Sequence, residues 1–146
     1  ALTSGTPGKT RLINFFIINE AFYMVDLPGY GFARVSHDMR KEWGRIIEEY
    51  LSSRNTLKLV VQLVDVRHPP SAEDLLMYKW LIHYNIPSVI VATKADKITR
   101  GNWEKHLKII REGLKLGLEG PVILYSTQTA QGKDDLWKII KQYVLN

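Results

Sequence analysis

The chain has 146 residues, 45% hydrophobic and 24% charged, with no cysteine and a formal net charge of +5 at a sequence pI near 9.4. These values suggest one domain with a sizeable core, and they exclude disulfides and cysteine-based metal sites. No apolar run approaches the roughly 20 residues of a bilayer-spanning helix, and Ala1-Leu2-Thr3-Ser4 lacks the features of a secretion signal, so a cytoplasmic protein without a membrane association is expected, its positive charge permitting an RNA or other polyanionic partner.

Residues 1–10 are polar and rich in turn formers. Gly8-Lys9-Thr10 invites a phosphate-loop reading, but Thr3 stands where that pattern requires glycine, and only two residues precede it. The next stretch is also wrong for a helix: Arg11 to Asn19 is apolar, β-branched and aromatic, and reads as a strand. A loop leading into a strand is better read as a switch whose threonine can meet Mg²⁺; a degenerate phosphate loop is the lesser reading. Asn19-Glu20 turns into a second strand, Ala21 to Asp26, so the pair is expected to be an antiparallel hairpin. That strand ends in Asp26-Leu27-Pro28-Gly29. An aspartate there can hold a magnesium-bound water, and the glycine can offer a bare N–H to a terminal phosphate. Alone, Asp-x-x-Gly is a weak signal, because most such tetrapeptides are ordinary turns.

After Tyr30 to Val35, a loop, Ser36 is a candidate N-cap for a helix to about Ser53, with Trp43, Ile46, Ile47, Tyr50 and Leu51 on one face. Leu57 to Asp65 is nearly continuous and apolar, as suits a parallel strand buried on both faces. Ser71 can cap a helix over roughly 72–84, with Asp74 completing a weaker version of the capping box, and its apolar residues on most sides predict deep burial. Ile86 to Thr93 is another buried strand. A helix over about 102–116 turns Trp103, Leu107, Ile110 and Leu114 inward. Pro121 to Ser126 is the last strand. The final helix, about 132–145, carries Leu136, Ile139, Ile140, Tyr143 and Val144 on one face, with Asp134 and Asp135 in its first turn. The alternation implies an α/β three-layer sandwich around a mostly parallel sheet, with one antiparallel edge hairpin and right-handed crossovers. In such a fold ligands bind at the carboxyl ends of strands.

Those strand ends are Asp26-Leu27-Pro28-Gly29, Asp65, Thr93-Lys94-Ala95-Asp96 and Ser126-Thr127-Gln128. An aspartate in the position of Asp96 can accept the N1–H and exocyclic amine of guanine. Adenine offers no matching pair of donors and would leave the carboxylate unpaired. Lys94 can lay its aliphatic stem over the base. Ser126 and Thr127 can buttress Asp96 and offer a backbone N–H to guanine O6. Thr-Lys-Ala-Asp by itself is also a common polar turn; its weight comes from the ordered series of strand ends.

Taken together, Thr6-Pro7-Gly8-Lys9-Thr10 with Asn14-Phe15, Asp26 to Ala33, Trp43 with Ile47-Glu48-Glu49-Tyr50, Asp65 to Pro70, and Thr93-Lys94-Ala95-Asp96-Lys97 resemble the EngB ribosome-biogenesis GTPases of the translation-factor-related class. The resemblance runs over essentially the whole chain, with Thr93 where many GTPases have asparagine. It implies a P-loop-GTPase-like fold, binding of GTP and GDP with Mg²⁺, slow GTP hydrolysis, and a role in assembling the large ribosomal subunit or its rRNA precursor, linked to cell division and septation. It places Thr6, Pro7, Gly8, Lys9 and Thr10 in the first switch, with Thr10 completing the Mg²⁺ shell. Asp26 holds the metal through water, Gly29 senses the γ-phosphate, and Thr93 to Asp96 with Tyr125, Ser126 and Thr127 form the base site. Many GTPases place a water-orienting Gln after the glycine. Here Tyr30 succeeds Gly29, so no catalytic residue is assigned and slow turnover is expected.

The family's opening strand, Walker A loop and helix have no counterpart here, an expected shortfall of roughly 30 to 50 residues for such a unit. Residues 1–146 alone, read as a single GTPase domain without that segment, are accordingly expected to bind guanine nucleotide weakly or not at all. A monomer is expected. His68 reads as a surface or packing residue, and His37, His83 and His106 have no ligand spacing. Lys97, Arg100, Lys105, Lys108, Arg111 and Lys115 surround one helix; a solvated face is the ordinary reading and an rRNA contact the functional one. Arg34, Arg40 and Arg45, with Tyr30 and Phe32, are equally arguable as a partner-reading surface. Two rivals remain: another translation-factor-related GTPase, and a non-catalytic RNA- or ribosome-binding module on the same fold.

Overall fold

The structure, a computed structural model, describes residues 14–27, 37–53, 55–116 and 121–145, and the side chains of 37–40 are not among those described. The chain divides into two compact units, the second running from Leu57 to Val144.

Among the described residues, the first unit holds the hairpin and one helix. Strands β1 (Asn14–Ile18) and β2 (Phe22–Asp26) pair antiparallel, with Ile17 opposite Tyr23 and Asn14 opposite Asp26, as a two-stranded sheet. Asn19 and Glu20 both take positive φ, 49° and 55°, and Ala21 N–H closes the turn on Ile18 O at 2.9 Å. Two left-handed residues match the twist of a hairpin, and asparagine tolerates that conformation. Helix α1 (His37–Ser53) buries Ile47, Tyr50 and Leu51, while Trp43 and Ile46 are half-buried. On its outer side Arg45 bridges Glu42 at 2.7 Å and Glu49 at 3.7 Å, pairs one turn apart.

In the second unit β3 (Val60–Asp65), β4 (Ser88–Thr93) and β5 (Val122–Leu124) form a parallel sheet in that order. Helices α2 (Ala72–His83) and α3 (Trp103–Leu114) make the crossovers, and α4 (Lys133–Val144) comes after β5. Alternate side chains of each strand point to opposite faces. Val64, Ile90 and Ala92 pack with Leu107, Ile110 and Leu114 of α3 and with Leu75 and Tyr78 of α2. Val89, Val91 and Ile123 pack with Leu136 and Ile139 of α4. Helices therefore cover both faces, giving the three layers.

The expected capping box forms. Ser71 Oγ accepts the Asp74 N–H at 3.1 Å, and Asp74 Oδ2 accepts the Ser71 N–H at 2.8 Å. Burial departs from expectation in three places. On β3 the polar Gln62 is buried and Leu63 is 60% exposed. Gln62 shares the face that meets α2 and donates its Nε2–H to Asp74 O at 2.9 Å. Leu63 lies on an outer strand of this sheet, beyond the cover that α4 gives Val89, Val91 and Ile123. On α2, Met77 and Leu81 are buried but Leu76 and Ile82 are exposed, because a helix packed on one side of a sheet cannot bury its full circumference. On α4, Ile140 is buried and Tyr143 is 42% exposed. No helix among the described residues is long and apolar enough to cross a membrane.

Candidate functional site

The carboxyl ends of β3, β4 and β5 bring Asp65, the loop Thr93 to Lys97, and Tyr125 to Thr129 together. The loop is fixed from several sides. Thr93 Oγ1 donates to Val64 O at 3.2 Å, and Val66 N–H donates to Thr93 O at 3.0 Å, stapling β4 to the end of β3. Lys94 then takes a left-handed conformation, φ 64° and ψ 36°, uncommon for a residue with a side chain. This reverses the chain so that Ala95, 1% exposed, donates its N–H to Tyr125 O at 3.0 Å. Ala95 O in turn accepts the indole N–H of Trp103 at 3.2 Å. The first residue of α3 thereby holds the turn at the end of β4.

Asp96 sits in the short 3₁₀ turn next in the chain. The residue as a whole is exposed, but its side chain keeps only 19% of its accessible surface. Ser126 Oγ donates to Asp96 Oδ1 at 2.7 Å, a distance typical of a hydroxyl on a carboxylate. The same Oγ accepts the N–H groups of Gln128 at 3.1 Å and Thr129 at 3.2 Å. A hydroxyl has one hydrogen and two lone pairs, so Ser126, itself 1% exposed, is saturated and has no freedom to rotate. Among the described residues, the second carboxylate oxygen, Oδ2, has the Lys97 ammonium 3.9 Å away, and the Arg67 guanidinium is close enough to feel the Asp96 charge. The result is a carboxylate fixed on one side with acceptor capacity left on the other. Planar ligands presenting adjacent N–H donors suit it.

Of the two residues expected to serve as buttress and N–H donor, Ser126 is the buttress, and its own N–H is taken by Gln131 O at 3.0 Å. Thr127 is exposed. Asp26 and Leu27 belong to the other unit, where Asp26 is the exposed last residue of β2. Thr6, Pro7, Gly8, Lys9, Thr10, Pro28, Gly29 and Tyr30 lie outside the described residues, as do Phe32 and Arg34.

Two groups at this site are not evident from sequence. Arg67 clamps Asp65: its backbone N–H reaches Oδ1 at 2.9 Å and its Nη2 reaches Oδ2 at 2.7 Å. These side-chain hydrogen bonds from Arg67 hold the Asp65 carboxyl far below the usual carboxylate range. Lys94 Nζ lies 3.5 Å from the same Oδ2. The Asp-x-Arg spacing is a signal for such a turn, since an aspartate readily bonds the backbone two residues on. Helical periodicity marks Trp103 only as a core residue; its indole N–H needs a partner when half-buried, and Ala95 O supplies it. His106 likewise serves packing: its Nδ1–H donates to Val66 O at 2.8 Å, tying α3 to the end of β3.

A family model described as 50S ribosome-binding GTPase matches residues 1–94. The probable GTP-binding protein EngB of Geobacillus sp. (strain WCH70) is 50% identical over 144 residues, 99% of this chain and 75% of that protein. Its counterpart in Bacillus subtilis (strain 168) is 51% identical over 144 residues, 99% of this chain and 74% of that protein. The crystal structure of a probable GTP-binding protein EngB superposes with a TM-score of 0.80 at 18% identity, over 92% of this chain and 84% of the other, a likeness of fold. With half its residues shared over nearly its whole length, this chain belongs to the EngB family of GTP-binding proteins.

Proposed function

We propose that this protein is a guanine-nucleotide switch that binds GTP and GDP with Mg²⁺ and hydrolyses GTP slowly. We place it in the cytoplasm, as a monomer acting in assembly of the large ribosomal subunit and linked to cell division and septation. The observation that carries the nucleotide reading is Asp96: a carboxylate held by Ser126 at Oδ1, with Oδ2 open to a purine bearing adjacent donors. In this reading Lys94 lies along the base and Thr127 N–H faces its carbonyl. Thr6 to Thr10 form the first switch, and Gly29 reads the terminal phosphate.

Mg²⁺ prefers oxygen ligands, keeps several waters, and commonly takes one or two carboxylates plus phosphate oxygens. An exposed aspartate closing β2 fits that set, so Asp26 would hold the ion through water and Thr10 would add a hydroxyl. The ion would supply charge neutralisation at the phosphates. Tyr30 succeeds Gly29 and cannot orient water as a carboxamide does, which supports slow intrinsic turnover.

The ribosomal reading rests on the family and on charge. Residues 97–115 carry a net +4 of the chain's +5, with Lys97, Arg100, Lys105 and Lys108 all exposed. Such a surface favours a polyanion. The test is calorimetric titration of the full-length protein, of verified mass, with GDP and ADP in the presence of Mg²⁺. GDP binding without ADP binding is expected, and Asp96→Asn should exchange guanine for xanthine. Equal affinity for ADP and GDP would overturn the reading. Binding of ribosomal RNA that is indifferent to GTP would favour a non-catalytic module instead.

A further inference from the structure

Asp65 closes β3 directly beside Thr93 in the parallel register, so its carboxylate meets the loop that begins at Lys94. Its surroundings are specific. Oδ1 accepts the Arg67 backbone N–H at 2.9 Å and Nε–H at 3.0 Å, while Oδ2 accepts Nη2–H at 2.7 Å and lies 3.5 Å from Lys94 Nζ. The guanidinium fork and the backbone bond leave the carboxylate one rotamer, and that rotamer points Oδ2 at the lysine. The Arg67 bonds also keep Asp65 ionised at any working pH.

Exposed ion pairs contribute little to stability, and Lys94 is 55% exposed, so a structural reason for this arrangement is weak. A positioning reason is stronger. A lysine side chain has much rotamer freedom, and ordering it on binding a ligand weakens association. An ammonium already tethered loses less. We propose that Asp65, clamped by Arg67, is a positioning residue of the nucleotide site that holds Lys94 ready to lie along the base. The inference rests on reading Thr93 to Asp96 as the base-binding loop. It adds two residues from a different strand end, which makes the turn after β3 part of nucleotide affinity.

The test is a double-mutant cycle on the full-length protein, with GDP affinity measured by calorimetry in the presence of Mg²⁺. Asp65→Asn should weaken GDP about 5-fold, and Lys94→Ala by at least as much; the double variant should be no weaker than Lys94→Ala alone. A purely structural role for Asp65 would give losses that multiply. Should Asp65→Asn fail to fold, Arg67→Gln, which releases the clamp from the surface, supplies a second cycle with Lys94→Ala and the same expected non-additivity. Multiplying losses, or an Asp65→Asn protein that binds GDP like the parent, overturn the inference. Asp96→Asn separates the two levels. If it does not exchange guanine for xanthine while the Asp65–Lys94 coupling persists, the guanine reading fails and the positioning role stands.

Discussion

Replacing Ser126 by alanine removes a single oxygen that makes three hydrogen bonds. Two of its partners, the N–H groups of Gln128 and Thr129, belong to exposed residues, and water can replace part of what they lose. The stability cost is therefore about 1–2 kcal/mol, below the ~1–3 kcal/mol of each fully buried orphan. The third partner is charged. A hydrogen bond to an ionised group contributes about 1.5–3 kcal/mol. Losing it lets Asp96 rotate away from the pose that its 2.7 Å contact now fixes. If that pose is what receives the base, GDP affinity falls roughly 10- to 150-fold. Urea unfolding would report the first effect as a lower midpoint at unchanged slope, and calorimetric GDP titration the second. A variant that loses stability yet binds GDP within about twofold of the parent would refute the argument that Ser126 preorganises Asp96.

Gly132 has φ +81°, and a Cβ there would stand 2.1 Å from Leu124 O, so Gly132→Ala should cost at least about 2 kcal/mol, seen as a drop in urea midpoint. Ser71→Ala removes the cap on α2 and should cost about 1 kcal/mol by the same assay. Asp65 has a lowered folded-state pKa, so the folded chain binds fewer protons there than the unfolded one. Its contribution is present above the unfolded value of about 4 and is lost as pH falls through the folded value. Asp65→Asn should therefore make the acid limb of a stability profile shallower; an unchanged limb would count against the Arg67 clamp.

Part of the site is legible in the sequence because strand ends in an alternating α/β chain fall on one edge of the sheet. That places Asp65, Thr93 to Asp96 and Ser126 together from chain order alone, although β5 is only Val122–Leu124. The pairings within the set are not legible. Ser126 and Asp96 are 30 positions apart, and Lys94 reaches Asp65 only because parallel pairing sets Thr93 against it. Nor does Trp103 announce in sequence that its indole N–H will hold Ala95 O.

Local chemistry decided the rest of what could be read directly. The Ser71/Asp74 cap forms from residues three apart, and the inward positions Leu107, Ile110 and Leu114 come from helical periodicity; both involve only neighbours in the chain. Which apolar residues find cover is set by tertiary packing alone. Leu63, Leu76 and Ile82 are as hydrophobic as their buried neighbours, yet stay exposed, while Gln62 is buried with its amide N–H on Asp74 O. Burial depends on what packs opposite, and that is a property of distant segments which no local pattern records.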